Sequence, residues 1–125
     1  KWIAEEEPVV VYGDGSQERD FTYVDDIARG VVSALRPMGF EVINLGSDQP
    51  FSLSTMIAYL ERSLGKRANI QYEPLDPTDV LATWADISKA RKLLDWSPET
   101  SFEIGLQKTV EWYLENRQWA REVDL

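Results

Sequence analysis

Arg19 stands in a polar segment between two runs that read as short strands, Val9-Val10-Val11-Tyr12 and Phe21-Thr22-Tyr23-Val24. A guanidinium keeps its charge at any physiological pH and can present two parallel N–H groups to a phosphate or a carboxylate. Asp25 follows where a helix N-cap is expected, ahead of Ile27, Val31, Ala34 and Leu35 at helical spacing. An arginine between strands and near a helix N-terminus is the arrangement of an anion site. The plainer reading of the same side chain is an ion pair with Glu18, Asp20 or Asp25. The other chemistry-bearing groups have simple readings too. Asp25-Asp26 suits a helix cap and a favourable first-turn charge better than acid–base work. Trp84, Trp96, Trp112 and Trp119 suit core and partner surface better than ligand stacking. Cysteine and histidine are both absent, which excludes disulfides, thiolate and imidazole metal ligands, and the commonest general base.

The composition bounds the setting. The 125 residues are 43% hydrophobic and 28% charged, enough for one domain with a real core. Thirteen basic against twenty-two acidic residues give a charge of −9, the wrong sign for nonspecific nucleic-acid binding. No run of about 18 apolar residues is available to span a membrane. The acidic start has no signal-peptide pattern, and the lack of cysteine is compatible with the cytoplasm, which is the expected location.

The elements that must hold these groups can be read in order. Residues 1–6 read as the end of a helix, so the chain starts inside an element. Val9, Val10, Val11 and Tyr12 read as a buried strand, followed by the turn Gly13-Asp14-Gly15-Ser16. A helix is expected over 26–35, with Val24, Ile27, Ala28, Val31 and Leu35 on its inner face, stopped by Pro37 and Gly39. A strand is expected over 40–45, centred on Val42 and Ile43. A helix follows over 53–64, with Ser52 as cap, Gly65 as stop and Leu53, Met56, Ile57, Leu60 and Leu64 inward. A strand at 69–72, an irregular stretch at 74–79 and a helix over 87–94 capped by Asp86 come next. The last helix runs over about 102–116, capped by Ser101, with Phe102, Leu106, Val110, Tyr113 and Leu114 inward; 118–125 shows little pattern. Alternating strands and helices make the class mixed α/β.

The stretch PVVVYGDGSQERDFTYVDD, with EVINLGSDQPFSL, PTDVLATWADISKARKLLDW and SFEIGLQKTVEWYLENR, resembles the extended short-chain dehydrogenase/reductase family. These are NAD-dependent nucleotide-sugar epimerases and dehydratases, with UDP-glucuronate 4-epimerases the nearest in pattern. The likeness extends over nearly the whole chain but matches only the C-terminal part of such an enzyme. It implies a substrate-binding lobe carrying the edge helix and strand of a Rossmann sheet. It also implies that Arg19 grips a nucleotide diphosphate, that Asp79 accepts bonds from the ribose, that the backbone at Val10 and Tyr12 meets uracil, and that Thr83 lies beside the sugar. The partner implied is a UDP-sugar or a related nucleotide-sugar. Asp76 stands where many relatives carry a second phosphate-binding arginine, so the charge there is reversed.

Turnover in that family needs a glycine-rich turn for the NAD pyrophosphate and a Tyr-x-x-x-Lys pair. The residues four after Tyr12, Tyr23, Tyr59, Tyr72 and Tyr113 are Ser16, Ile27, Ser63, Asp76 and Arg117, and no third glycine follows Gly13 and Gly15 at the required spacing. The resemblance places both parts upstream of Lys1, so no catalytic residue and no cofactor contact is expected in this chain, with NAD a ligand of the full-length enzyme. Two expectations follow: a fragment of such an enzyme, or a stand-alone truncated relative acting as an assembly module. Without a covering domain, the 26–35 helix and 40–45 strand should drive a homodimer, with elements exchanged in one version.

Overall fold

The computed structural model describes residues 1–123. Its elements run α1 (Trp2–Glu5), β1 (Pro8–Tyr12), β2 (Glu18–Arg19), α2 (Val24–Ser33), β3 (Phe51–Ser52), α3 (Leu53–Leu64), β4 (Asn69–Glu73), α4 (Ser88–Leu94), α5 (Phe102–Glu115) and α6 (Arg117–Ala120). The mixed α/β class expected from the sequence is what forms.

Three successive β-branched valines make β1 extended. It pairs in parallel with β4, in register from Pro8 opposite Asn69 to Tyr12 opposite Glu73. Helices cover only one face of this pair. Val9 and Val11 therefore turn inward onto Ile3 and Ile57, with Leu53, Leu60, Leu64 and Ile70 around them. Val10 and Tyr12 point outward and are exposed. The run is thus an alternating, half-covered strand and not the fully buried one expected.

Helix α3 has the predicted bounds and ends. The Ser52 hydroxyl accepts the Thr55 N–H at 3.1 Å, and Gly65 closes the helix at φ 64, a left-handed position a side chain disfavours. On its far side Phe102 stacks on Phe51 with centroids 4.1 Å apart, and Tyr59 meets Phe102 edge-on at 5.5 Å. Ser101 caps α5 as expected, bonding the Ile104 N–H. Leu114 on that helix is exposed, against the expectation of an inward position, whereas Phe102 and Val110 are buried. The chain's first and last helices are tied by Glu5. Its Oε1 accepts from Arg117 Nε at 2.7 Å and from the Tyr113 hydroxyl at 2.9 Å, and its Oε2 accepts from Arg117 Nη2 at 2.9 Å. The short helix α6 replaces part of the patternless tail expected; residues 124–125 of that stretch lie outside the described residues.

Three other expectations are corrected. Residues 21–23 form no strand; β2 lies earlier, at Glu18–Arg19, paired antiparallel with β3. The cap of α2 is Tyr23, and Asp25 and Asp26 lie inside the first turn. Residues 40–45 form no strand because no described strand pairs with them. Ile43 and Leu45 pack against the cluster of Ile87, Ala90, Leu94 and Trp96, while Phe40 is 93% exposed.

Helix α2 docks by a different side than its apolar stripe suggests. Its buried residues are Asp26 and Gly30. Asp26, 3% exposed, accepts from Arg29 Nη2 at 2.7 Å, from the Glu99 N–H at 3.2 Å and from the Thr100 N–H at 2.9 Å, and its carbonyl accepts from Trp96 Nε1 at 2.9 Å. Burial works against the Asp26 charge, but these bonds outweigh it and hold the carboxyl below its ordinary range. A Cβ at Gly30 would fall on Leu45 and the Trp96 indole. Polar satisfaction and a close approach decide the orientation, leaving Val31 and Leu35 exposed. The helix over 87–94 begins one residue later than expected, with the Asp86 carboxylate accepting the Ser88 N–H at 2.9 Å.

Candidate functional site

Arg19 and Asp79, sixty residues apart, meet. The turn that begins at Asp76 makes this possible. Asp76 Oδ1 accepts both the N–H and the hydroxyl of Thr78, and its carbonyl accepts the Asp79 N–H at 3.0 Å. Those bonds hold the Asp76 carboxyl below its ordinary range. The chain leaving this turn runs beside β2. Glu18 donates its N–H to the Leu81 carbonyl at 2.8 Å and accepts the Thr83 N–H at 3.1 Å, forming a parallel bridge with Ala82. Residues 80–83 thus lie as an added rung against β2, and Asp79 arrives at the arginine.

Arg19 is held by three of its five N–H groups. Nη1 donates to the Glu18 and Val80 carbonyls at 2.8 and 2.9 Å, and Nη2 donates to Asp79 Oδ1 at 2.7 Å. The side chains are 27% and 36% exposed, so the pair lies at the surface but is not free in solvent. Five donors less three leaves Nε–H and one Nη2–H with no partner among the described residues. Asp79 Oδ1 also accepts the Val80 N–H at 2.9 Å, while Oδ2 accepts nothing from them. The site therefore offers two fixed donors carrying positive charge and, beside them, one carboxylate acceptor. The partners of Arg19 are not those of the plainer sequence reading: it pairs with Asp79 and not with Glu18, Asp20 or Asp25 carboxylates.

Asp20 has a separate task. Its Oδ1 accepts the Ser47 N–H at 2.6 Å and its Oδ2 the Ala85 N–H at 3.1 Å. Burial opposes its charge, yet the bonds from Ser47, Ala85 and Asp48 keep its carboxyl below the ordinary range. It fastens β2 to the 46–47 loop and to the end of the 79–85 segment. Sequence reasoning missed this role; an aspartate followed by an aromatic run carries no signal of loop bonding at a distance.

The remaining expected residues are placed as follows. Thr83 is exposed and lines an open concavity of about 490 Å³ with Asp20, Asn44, Gly46 and Trp84. Trp84 is oriented by its indole N–H on Asp48 Oδ1 at 3.1 Å. Val10 and Tyr12 belong to the other sheet. Their link to β2 runs through the buried Gln17, whose amide donates to the Tyr12 carbonyl at 2.7 Å. No hydrogen bond or strand pairing among the described residues joins them directly to Arg19, Asp79 or Thr83. The helix-terminus part of the anion reading is not realised. The first turn of α2 carries Asp25 and Asp26, and the first N–H groups of α3 are closed by the Gln17 and Gly15 carbonyls.

A NAD pyrophosphate cradle does not fit the residues present. Such a cradle needs a glycine turn leading from a strand into a helix N-terminus. Here the Gly13–Gly15 turn leaves β1 for β2, and side chains of Leu75, Gln17 and Ser54 pack against it. Among the described residues no cluster of acids could hold a metal ion, and no helix is long and apolar enough to cross a membrane.

Comparison with known proteins gives this geometry a context. The model of the family described as GDP-mannose 4,6 dehydratase matches residues 1–109. A UDP-glucuronate 4-epimerase of Thermodesulfobacterium geofontis is 52% identical over 124 residues, 98% of this chain and 38% of that protein. Among solved structures, the UDP-glucuronic acid 4-epimerase from Bacillus cereus in complex with UDP-glucuronic acid and NAD is 39% identical, with a TM-score of 0.83 over 92% of this chain and 38% of that one. An epimerase from Methanothermobacter thermautotrophicus superposes with a TM-score of 0.89 at 35% identity, over 97% of this chain and 37% of that one. The fold is that of the C-terminal part of an extended short-chain dehydrogenase/reductase. The chain belongs to that family, the NAD-dependent nucleotide-sugar epimerases and dehydratases, and spans under two fifths of the length of these relatives.

Proposed function

We propose that this chain is the nucleotide-sugar binding portion of an NAD-dependent epimerase or dehydratase, and that its ligand is a UDP-sugar. The observation that carries the reading is the Arg19–Asp79 pair with its unused groups. In this reading Nε–H and the free Nη2–H of Arg19 take two oxygens of the diphosphate, a charge-assisted bidentate contact. Asp79 Oδ2 accepts a ribose hydroxyl. The backbone at Val10 and Tyr12 lies by the uracil, and Thr83 lies by the sugar, on the rim of its concavity. The similarity to a UDP-glucuronate 4-epimerase at 52% identity supports a uronic acid as the sugar. The proton and hydride steps belong to groups other than these 125 residues, which hold no Tyr-x-x-x-Lys pair.

Calorimetric titration with UDP tests the reading. Charged hydrogen bonds contribute about 1.5–3 kcal/mol, so Arg19→Ala should weaken UDP binding by roughly ten- to a hundredfold. Equal affinities for both proteins would remove Arg19 from the site.

One observation favours a second role as a homo-oligomeric binding or assembly module. Val31 on α2, Leu35 just beyond its end, and Phe40 and Val42 are exposed apolar side chains. In this reading a second copy covers them.

A further inference from the structure

We propose that the Trp84 indole is the face on which the sugar ring of a bound nucleotide-sugar lies. The inference rests on the nucleotide-sugar reading above and adds to it a residue that reading does not use. Trp84 is 67% exposed, yet it is not loose. Its Nε1–H donates to Asp48 Oδ1 at 3.1 Å, and Asp48 Oδ2 accepts from Arg91 Nη2 at 3.0 Å. Asp48 stands at φ 60, a left-handed position that residues other than glycine take infrequently. The Ser47 hydroxyl closes the loop around it, donating to the Gln49 carbonyl at 2.9 Å and accepting the Gln49 N–H at 3.1 Å. On the other side of the indole, the Ala85 N–H is fixed on Asp20 at 3.1 Å. An infrequent backbone conformation and an ion pair thus hold one large apolar ring in the open, outside the core. A ring held in this way loses little freedom when a ligand meets it. Trp84 also lines the concavity of about 490 Å³ together with Asp20, Asn44 and Thr83, so an apolar face adjoins polar groups. A pyranose has the same two sides, hydroxyls at its edge and C–H groups over its face. Those hydrogens are slightly positive and meet the negative face of an indole. The order along the chain fits as well. Residues 80–83 run beside β2 from the Arg19–Asp79 pair, and Trp84 is the next residue.

The test is calorimetric titration of the wild-type chain, Trp84→Ala, Trp84→Phe and Asp48→Ala with UDP and with UDP-glucuronate. Trp84→Ala should weaken UDP-glucuronate binding about three- to tenfold, the scale of one aromatic contact, and leave UDP affinity the same to within about twofold. Trp84→Phe keeps a ring at the position and should recover most of that loss. Asp48→Ala keeps the indole but releases it, so UDP-glucuronate should weaken by a smaller factor, again with UDP unchanged. The exposed position of Trp84 lets both of its replacements fold, and UDP binding by each variant reports that the rest of the site is intact. Unchanged UDP-glucuronate affinity in Trp84→Ala, or an equal loss for UDP and UDP-glucuronate, overturns this inference and leaves the nucleotide reading standing. No binding of either ligand by the wild type overturns both.

Discussion

Glu5 is gripped by two groups of the C-terminal helices, and this makes one part of the stability pH-dependent. The two-pronged bond from Arg117 lowers its carboxyl from an ordinary 4.5 to about 2, against the opposing effect of partial burial and with help from Tyr113. A carboxylate whose pKa is depressed by folding contributes stability above its unfolded value and loses it as pH falls through the folded one. The contribution is therefore whole above about pH 4.5 and gone near pH 2. Thermal melts of the wild type and Glu5→Gln across that range should converge as pH falls, with the variant less stable at neutral pH. Curves that stay parallel from pH 6 to pH 2 would show that the Glu5–Arg117 contact carries no linkage. Asp76 provides a contrast at the proposed binding site. Its Oδ1 is occupied by Thr78 and not by Arg19, so Asp76→Asn should change UDP affinity less than Asp79→Asn in parallel titrations.

At the scale of elements, the site depends on three segments meeting at Asp20. Gly46 lies at the junction, where an added Cβ would fall 2.5 Å from the Ala85 Cβ and 2.7 Å from Asp20 Oδ2. Neither neighbour is the end of a long flexible side chain. Gly46→Ala should therefore destabilise the fold by about 1–3 kcal/mol, read by denaturant melts, and should weaken UDP binding by displacing the 79–85 segment from β2. An unchanged melt would mean that the junction is looser than its distances indicate. The elements with strong local signals were legible in the chain: the Ser52 cap, the apolar spacing of α3 and the Gly65 stop place that helix within its observed bounds. The chemistry of Arg19, a permanently charged guanidinium with several donors, was legible from the residue type alone. Its actual partner was not, because Asp79 reaches it through a turn and a parallel rung that leave no local pattern. The 40–45 segment failed for a related reason. Val42 and Ile43 have strand propensity, but a ladder needs a partner strand, and propensity cannot supply one. The α2 face failed because its docking uses a buried aspartate and a glycine, residues an apolar count ignores.

For the molecule as a whole, the exposed apolar side chains of residues 31–42 set the main expectation. Leu35 is 80% exposed, and Val31, Val42 and Phe40 lie open with it. Burying each such side chain is worth about 1.5–3 kcal/mol, and exposed apolar side chains gathered in one region of a small domain mark an interface. The chain should sediment as a dimer at micromolar concentration, and Leu35→Lys should shift it toward monomer. A wild type that stays monomeric across that range would contradict the assembly role. Separately, the 125-residue chain given NAD and UDP-glucuronate should show no epimerisation by proton NMR; measurable turnover would place the proton-transfer groups within these residues. The docking of α2 onto the 96–100 segment also gives the molecule an internal optical reporter. Of the five tryptophans, Trp96 alone is almost fully buried, at 1% exposure, with its indole N–H held by the Asp26 carbonyl. Its emission should be the blue edge of the spectrum and the part that iodide quenches least. Loss of that shielded component, while the four exposed indoles stay unchanged, would mark α2 lifting away before the rest of the chain unfolds.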